Sequence, residues 1–513
     1  MTIRAMLRHA AKATLLALTL LPSTGALSQS SSTKKMTVPR TWDDAAMDKL
    51  EVPLANPVGS PKHISADYYY RIPVRPIYKQ YPVYAPGREP AGYLDWLKQQ
   101  EPVIVWDGAT HKPKLQTQAD WIKAGEIVLD AALIYSTDHK GGFRMEDATS
   151  SAFYEKTAMP LTPDGIMPFM HYVIREKGRV ELGSFGCVMC HTRVMPGGGV
   201  IKGAQGNLPF GAVLSQADSF PFPVLEALFG MPWITPDPTD RMKSFSEDQM
   251  RALFASVPAG VAARHRGSLF EPIQVPNLIG VADRHYLDRT GLQQQHSIVD
   301  LMRYAALNQG ADAMANFDGF IFADIPNFKK LPDPADPIAV GGRYSDEQLY
   351  ALALYIYSLK PPPNPNKFDA SAARGKKIFA GEGCTKCHTP PLYTNNKLTP
   401  TDGFKIPVDH RAKYEILPQS VGTDPDLTLK TRRGTGYYKV PSLKGVWYRS
   451  MFGHSGWCAT LEDWLDPNRE NDDYIPTGFK PYGKTTYAVK GHAFGLDLTP
   501  DEKKDLIAFL KTL

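Results

Sequence analysis

Two short cysteine–histidine motifs constrain this 513-residue chain more than any other feature of its sequence. Each motif has the spacing CxxCH, in which two thiols precede one imidazole: Cys187, Cys190 and His191, then Cys384, Cys387 and His388. This spacing is the attachment signature of c-type haem. The sequence therefore predicts two covalently bound haem c groups, with one histidine of each motif as an iron ligand.

A zinc site is the structural alternative for such cysteine pairs. Zinc sites of this kind have a second CxxC or HxxxH cluster nearby, and neither half of the chain has one. The two motifs use four of the five cysteines. The fifth, Cys458, is predicted to be a small buried thiol.

The N-terminus has the pattern of a secretory signal. Arg4, Arg8 and Lys12 precede or enter an apolar run that ends near Leu21, and small residues follow at a cleavage-like site before Gln29. The run is too short to cross a bilayer. Removal of residues 1–28 lowers the formal charge from +5 to +2, so a nucleic-acid partner is not indicated. We expect a periplasmic or secreted protein that is not integral to the membrane.

The chain repeats itself beyond the two motifs. "VPNLIGVADRHYLDRTG" at 275–291 and "VPSLKGVWYRSMFGHSG" at 440–456 share VPxLxGV and a glycine at the same distance. "SIVDLMRY" and "TLEDWL" follow them and predict short helices. Each half then ends in a capped amphipathic helix, 345–359 and 499–513, with Ser345 and Thr499 as the N-caps.

A proline-rich linker at 361–366 separates the two halves. Ahead of the first motif, a segment rich in Tyr and Pro predicts extended structure, and "TQADWIKAGEIVLDAALIY" predicts a helix. The predicted division is a signal peptide at 1–28, an extension at 29–180 that packs on the haem domains, a first domain at 181–360 and a second at 367–513.

The pattern resembles the bacterial di-haem cytochrome c peroxidase superfamily. The resemblance rests on the CxxCH pair, the VPxLxGV pair, "HSGWCATLEDW" at 454–464 and the ending "FGLDLTPDEKKDLIAFLKTL". "GVWYRSMFGHSGWCATLEDWLDP" and "GHAFGLDL" are most similar to its rubber-oxygenase and lipid-oxygenase branch. The resemblance covers most of 183–513 and implies a mainly α fold, with two fused cytochrome c domains behind an irregular N-terminal extension.

The resemblance also places the sixth ligand of the second haem in the loop before the last helix, where His492 lies in "VKGHAFGLDL". A bis-histidine iron of this kind suits electron transfer. His454 and Met451 compete for the role, and a surface histidine is the ordinary alternative.

No such ligand is evident for the first haem. A shift of 154 residues along the sequence relates the two terminal helices, and the same shift moves His492 onto Ile338. The segment around Ile338 contains no His, Met, Tyr or Lys. Other candidates lie near the motif but not in that segment: Met195, Met167, Met170 and His171. We therefore expect an exchangeable position on the His191 iron, open to dioxygen or peroxide.

The loop at 307–328 is expected to lie on the far side of the first haem. It contains Gln309, Phe317 and several aspartates but no glutamate, whereas the superfamily's peroxidases use a distal glutamate. Phe317 and Gln309 are therefore the predicted catalytic residues of an apolar distal pocket. Asp312, Asp318 and Asp324 stay possible bases.

Three functions follow as expectations. The first is a haem-dependent dioxygenase that acts with dioxygen on an unsaturated apolar substrate, a lipid or an isoprenoid. The second is a di-haem peroxidase that reduces peroxide with electrons from a small redox protein. The third is an electron-transfer cytochrome without catalysis. Peroxidases of this family place a tryptophan between the haems, whereas this chain has Leu287 next to Tyr286, which weakens the peroxidase case.

Overall fold

The computed structural model describes residues 36–55, 62–136, 143–220, 222–230, 236–263, 267–310, 315–317, 320–321, 342–431 and 434–513. The signal predicted at 1–28 lies outside these residues. Thr37–Leu513 form one compact unit. Helices account for 34% of the residues and strands for 13%.

The helices are α1 (Asp44–Met47), α2 (Ala66–Arg71), α3 (Tyr93–Lys98), α4 (Gln118–Asp130), α5 (Met145–Ala148), α6 (Ser151–Thr157), α7 (Cys187–Cys190), α8 (Phe210–Leu214), α9 (Phe222–Phe229), α10 (Glu247–Ala255), α11 (Ile298–Gly310), α12 (Asp346–Ser358), α13 (Ala370–Gly381), α14 (His410–Lys413), α15 (Asp426–Leu429), α16 (Leu461–Trp464) and α17 (Pro500–Lys511). Short 3₁₀ turns span Pro238–Ser244, Val281–Asp283, Cys384–Lys386, Val446–Tyr448 and Pro467–Glu470.

The strands are β1 (Lys62–His63), β2 (Ile77–Tyr78), β3 (Gln80–Tyr84), β4 (Ile104–Trp106), β5 (Ile134–Tyr135), β6 (Ile166–Glu176), β7 (Arg179–Ser184), β8 (Thr192–Val194), β9 (Val200–Lys202), β10 (Val261–Ala262), β11 (Ile273–Gln274), β12 (Tyr286–Leu287), β13 (Gln293–Gln294), β14 (Ala315–Phe317), β15 (Phe320–Ile321), β16 (Leu398–Pro400) and β17 (Tyr437–Lys439).

Each half of the chain contains one tightly crossed helix pair. α4 packs on α12, and α13 packs on α17. Both crossings are centred on a glycine: a Cβ on Gly125 would lie well inside 3.0 Å of the Ala351 carbonyl, and one on Gly375 would meet the Asp505 carbonyl in the same way. The carbonyls of Ala351 and Asp505 occupy equivalent positions in the two terminal helices, α12 and α17. The two helix pairs are therefore built alike.

The two VPxLxGV segments also adopt the same local structure and join the halves. Each passes through a left-handed glycine into a 3₁₀ turn, Val281–Asp283 in one and Val446–Tyr448 in the other. Two backbone hydrogen bonds cross between the segments. The Gln274 N–H donates to the His454 carbonyl (2.8 Å), and the Lys439 N–H donates to the Arg289 carbonyl (2.9 Å). Gln274 and Lys439 occupy equivalent positions of the repeat, and so do Arg289 and His454. The two hydrogen bonds are therefore equivalent, and the halves meet with approximate two-fold symmetry at this point.

An antiparallel sheet of four strands, in the order β3-β6-β7-β5, precedes the first motif. β6 and β7 form a hairpin whose two-residue turn ends in Gly178 at φ 86°. The expectation of a mainly α fold is therefore correct for the helix pairs but not for this sheet. Most of β6 is buried on both faces, so its sequence lacks the alternation that reveals a strand.

The capped helices are confirmed by the structure. Ser345 and Thr499 each accept a hydrogen bond from the third helical N–H within a complete capping box. The helices predicted after the repeats correspond to α11 and α16, and the Tyr- and Pro-rich segment contains β2 and β3. No helix among the residues described is long and apolar enough to cross a membrane.

The predicted domain bounds stay a prediction. α4 lies in the segment assigned to the extension, yet it packs on α12 of the first half as α13 packs on α17. This pairing favours a first domain that begins at α4 rather than at residue 181.

Replacing the crossing glycines tests this architecture. Gly375→Ala and Gly125→Ala should each lower the free energy of unfolding by about 1–3 kcal/mol, because the added methyl group forces the paired helices apart. Gly381→Ala is the matched control, since a Cβ there meets nothing within 4 Å. Chemical denaturation of the three variants measures the difference. Equal stability of Gly375→Ala and Gly381→Ala would contradict the close crossing.

Candidate functional site

The first CxxCH motif forms a single helical turn. Cys187 and Cys190 begin and end α7, and His191 follows as its C-cap. The His191 N–H donates to the Cys187 carbonyl (2.9 Å), and the His191 carbonyl accepts from the Gly203 N–H (2.6 Å). The motif is thus held from one side by its own turn and from the other by the strand segment that follows it.

The second motif is held in a similar way. A 3₁₀ turn carries Cys384, and the His388 N–H donates to the Cys384 carbonyl (2.8 Å). The His388 side chain is buried, and its Nδ1–H donates to the Tyr393 carbonyl (3.1 Å). The N–H of Leu443, in the second VPxLxGV segment, donates to the same carbonyl (3.2 Å). Because Nδ1 carries the proton in this bond, Nε2 keeps its lone pair for a metal.

His492 faces His388. The two ring centroids are 6.3 Å apart, with 62° between the ring planes. Two imidazoles that bind one first-row metal from opposite sides have centroids about 6 Å apart, since each metal–nitrogen bond is about 2 Å long and each ring nitrogen lies about 1 Å from its ring centre. Nδ1 of His492 is buried and has no hydrogen-bond partner among the residues described. The two side chains therefore fit an iron between them.

The backbone holds His492 in an unusual conformation. Its φ of 52° lies in the left-handed region, which non-glycine residues seldom occupy. The His492 N–H donates to the Val421 carbonyl (2.7 Å), and a Cβ on the preceding Gly491 would overlap the Gly422 backbone. This close approach of two chain segments sets the direction of the imidazole.

Arg469 fixes the same loop from the other side. Its guanidinium is fully buried and donates to three backbone carbonyls, those of Trp464 (2.9 Å), His492 (2.9 Å) and Val489. The guanidinium also lies over the Trp464 ring, 4.7 Å from its centroid, and that ring in turn contacts His492. Arg469 is therefore a positioning residue for His492, and nothing in its sequence surroundings indicated this.

The surroundings keep both imidazoles neutral. Burial lowers the pKa of His388 to about 4, and repulsion from Arg449 adds to the effect. Burial, followed by repulsion from His388 and Arg469, lowers the pKa of His492 to about 3. Neutral imidazole is the form that ligates metals, so both rings are prepared for that role at neutral pH.

The two other residues predicted as candidates for the ligand opposite His388 have different contacts. His454 stacks on Tyr438 at a centroid distance of 4.1 Å, and its Nε2 lies 3.0 Å from the Tyr438 hydroxyl. Met451 packs against an apolar cluster around α9 and α10. Among the three predicted candidates, the structure brings only His492 into ring contact with His388 in the residues it describes.

The residues predicted to line a distal pocket at the first motif lie mostly outside the residues described. This applies to Asp312, Asp318, Asp324 and Ile338 and to the side chains of Gln309 and Phe317, whose backbones belong to α11 and β14. Met167 and Met170 are buried in the apolar core of the sheet. The assignments to this pocket therefore stay predictions.

Sequence reasoning did not select Tyr344, which lies close to Cys187. Its ring is buried, and its hydroxyl has no hydrogen-bond partner among the residues described. Burial raises its pKa, and the Cys187 thiol adds to the rise. A buried phenol beside the first motif is thus a polar group available to a bound group there.

The cysteines are consistent with attachment. None of the five, all of which lie in the described ranges, forms a disulfide, and the four motif cysteines are half-buried. Cys458 is fully buried, as predicted, with its Sγ 4.0 Å from the Tyr474 hydroxyl. Within the described ranges, no three His, Cys, Asp or Glu side chains converge as a metal-binding group.

No family model matches the chain. A stretch of 165 residues is 27% identical to the cytochrome-c peroxidase IdrP1 of Denitromonas iodatirespirans. The match covers 28% of this chain and 40% of that protein, so the chain spans well under half the length of the curated relative.

Two solved structures overlap with about half of the chain. One is the hydrazine synthase of Kuenenia stuttgartiensis, with a TM-score of 0.31, 15% identity and coverage of 51% of this chain and 79% of that one. The other is a MauG-like protein associated with microbial copper homeostasis, with a TM-score of 0.29, 19% identity and coverage of 50% and 78%. Overlaps of this size establish neither a shared fold nor a shared activity.

The role of Arg469 can be measured through stability. Arg469→Met should lower the free energy of unfolding by about 3 kcal/mol or more, because three buried carbonyls lose their donor. Arg469→Lys should lose part of this, since an ammonium cannot span the three acceptors. Arg179→Met, at an exposed arginine, is the control. A loss no larger than that of the control would show that Arg469 does not hold the loop.

Proposed function

We propose that this chain is an exported di-haem c-type cytochrome with peroxidase-type oxidoreductase activity. Two haem c groups would be attached, one through Cys187 and Cys190 and one through Cys384 and Cys387. The second haem would have His388 and His492 as its axial ligands. The first would have His191 on one side and an exchangeable position on the other, where peroxide is reduced.

The observation that carries the proposal is the facing pair of neutral imidazoles at the second motif, with His388 buried and His492 half-buried. His388 belongs to a CxxCH turn, and His492 arrives from a loop more than a hundred residues away. A haem iron ligated by two histidines supplies one-electron transfer and has no position for a substrate. Substrate chemistry in such a protein therefore belongs at the other haem.

The residues around the second haem serve to orient its two ligands. The Tyr393 carbonyl holds the Nδ1 proton of His388 and so turns Nε2 toward the iron. Arg469 and the Val421 carbonyl hold the His492 backbone on both sides. Trp464 and Phe494 contact the His492 ring, with centroid distances of 5.4 and 5.2 Å. A ligand pair held in this way favours fast electron transfer because little has to rearrange.

Peroxide as the substrate is supported by the curated relative, which is a cytochrome-c peroxidase. Reduction of one hydrogen peroxide to two waters consumes two electrons and two protons. A small redox protein would deliver the electrons, and His388 and His492 would hold a haem that supplies one-electron chemistry. The tryptophan expected between haems is replaced by Tyr286 and Leu287, both buried in β12 at the junction of the halves.

The dioxygenase expectation has less support. It rests on Phe317 and Gln309, whose side chains lie outside the residues described, and the curated relative does not favour it. Oxygenation of an apolar substrate is therefore kept as a distinct outcome of the activity test and not as the proposed function.

Replacement of His492 tests the ligand assignment. In the holoprotein, His492→Ala should open the second iron to external ligands, because the imidazole opposite His388 is lost. Carbon monoxide or imidazole titration followed by absorbance should count one open iron in the wild type and two in the variant. His296→Ala, at an exposed histidine, is the control and should leave the count at one.

Either of two results would contradict the assignment. The wild type and His492→Ala could bind the same number of external ligands, which would exclude His492 as a ligand. The wild type could also bind none in either oxidation state, which would leave an electron-transfer cytochrome without a catalytic centre.

The activity itself is tested on the reduced holoprotein. We expect peroxide-dependent oxidation of a reduced small cytochrome or dye, with two electrons consumed per peroxide. Oxygen uptake with a lipid or an isoprenoid, without added reductant and without peroxide turnover, would overturn the peroxidase and establish the dioxygenase. His492→Ala should slow peroxide turnover, since the second haem loses its closed coordination.

A further inference from the structure

Four cationic side chains converge where the two repeated segments meet, and we call them the cation cluster: Arg284, Arg289, Lys439 and Arg449. The pKa of each is lowered by burial and then by at least one other member, apart from Arg284, where burial alone lowers it. Arg284 itself acts on the other three members. The cluster is therefore one group of like charges and not four separate surface residues.

The internal repeat supplies two of the four cations. Arg284 and Arg449 occupy the same position of the repeat, each directly after its 3₁₀ turn. Arg289 and Lys439 are joined through the backbone by one of the two crossed hydrogen bonds (2.9 Å). Duplication has thus brought equivalent cations from the two halves to the junction.

The protein gives these cations only partial compensation. Their side chains donate to backbone carbonyls, those of Ile279 (3.2 Å), Gln274 (3.4 Å), Tyr286 (3.3 Å) and Ser442 (2.9 Å), among others. In the part of the chain that the structure describes, none of the four forms an ion pair with a carboxylate. Asp283, which attracts Arg284, is exposed.

The acidic residue next to Arg289 does not supply the missing charge to its side chain. Asp288 is buried, and it accepts from the Arg289 backbone N–H (2.6 Å) and from the Tyr304 hydroxyl (3.2 Å). Its carboxylate is therefore directed to the main chain and to a phenol.

Such a concentration of like charge, in side chains that are only partly exposed, favours the binding of an anion. The pKa of Arg289 falls to about 9 and that of Arg449 to about 10, so both stay charged at neutral pH. Removing charges from water without a counter-ion is costly, and like charges side by side add to the cost. A guanidinium has five donors in a planar fork that matches a carboxylate. The cluster has the chemistry of a carboxylate-binding site.

The position of the cluster points to the second motif. Arg449 donates to the Ser442 carbonyl (2.9 Å), and the N–H of the next residue, Leu443, donates to the Tyr393 carbonyl that also accepts from His388 Nδ1. Arg193, two residues after His191, extends the positive charge toward the first motif. It reaches only the Ser450 hydroxyl among the residues described, at 3.4 Å from two guanidinium nitrogens.

We propose that the cation cluster binds the propionate carboxylates of the haem attached at Cys384 and Cys387, and so couples that haem to the junction of the two halves. This rests on the proposed function, because it requires a haem at the second motif. The positive charge of the cluster would balance the negative charge of the two propionates. The propionates would in turn offset the repulsion among the four cations.

Removing one cation from the holoprotein tests the proposal. Lys439→Met and Arg449→Gln should lower the melting temperature by about 2 °C or more, because a buried carboxylate loses its partner. They should also lower the midpoint potential of the low-spin haem, since an uncompensated carboxylate favours the oxidised iron. Arg449→Lys keeps the charge and should shift the potential less. Lys444→Gln, at an exposed lysine in the same segment, is the control.

The opposite sign would overturn the proposal. If no carboxylate faces the cluster, Lys439→Met relieves repulsion and raises the melting temperature, and the potential does not move apart from the control. If the cluster holds a free anion, added acetate or phosphate stabilises the wild type in a concentration-dependent way and not Lys439→Met. That result would establish an anion site and exclude the propionates.

Haem attachment and the midpoint potential together separate a wrong cluster proposal from a wrong proposed function. Mass spectrometry of the purified protein shows whether haem is attached at Cys384 and Cys387. An unmodified peptide there would end the proposed function, whereas an attached haem with unshifted potentials in both charge-removing variants would end the cluster proposal alone.

Discussion

The contact between the two repeated segments is the constraint on which the rest of this structure depends. The crossed hydrogen bonds of Gln274 and Lys439 place equivalent parts of the two halves against each other. One side of this junction leads through Leu443 to Tyr393 and His388. The same contact that joins the halves therefore also orients a predicted iron ligand, so that the junction and the second motif cannot change independently.

The halves also share the way in which their helices pack. A glycine allows backbone contact between α4 and α12, and another allows it between α13 and α17. Close packing of this kind leaves no room for adjustment, because interiors have few voids. Each CxxCH turn is thus attached to a closely packed helix pair.

Much of this helical framework could be predicted from sequence, because capping boxes and amphipathic spacing are local signals. The N-caps at Ser345 and Thr499 illustrate this. β6 was missed because burial on both faces removes the alternation on which strand prediction relies. The pairing of α4 with α12 was missed because their contact joins segments more than two hundred residues apart, and no local pattern records it.

Within the site, too, some features could be predicted from the sequence and others could not. His492 could be selected because it lies in the loop before the last helix, where the resemblance expects a ligand. Arg469, which holds the His492 loop, could not be selected in this way. It lies in the ordinary sequence "DPNRE" and donates to backbone carbonyls, which have no sequence signature. The cation cluster was also missed, although Arg284 and Arg449 are aligned by the repeat. Arginine and lysine are usually exposed, and only the fold shows that these four partly buried side chains are gathered at one junction.

These two features, a fixed histidine and a gathered set of cations, have a common physical consequence. Both cost free energy in the chain alone: His492 holds a left-handed backbone and an unsatisfied nitrogen, and the cluster holds repelling charges. A cofactor that supplies a metal to the imidazole and carboxylates to the cluster would offset the desolvation of the ring and the repulsion of the charges. Haem has this combination of groups, which zinc lacks. The facing imidazoles and the repulsion at the junction thus argue for the same occupant as the two cysteine motifs.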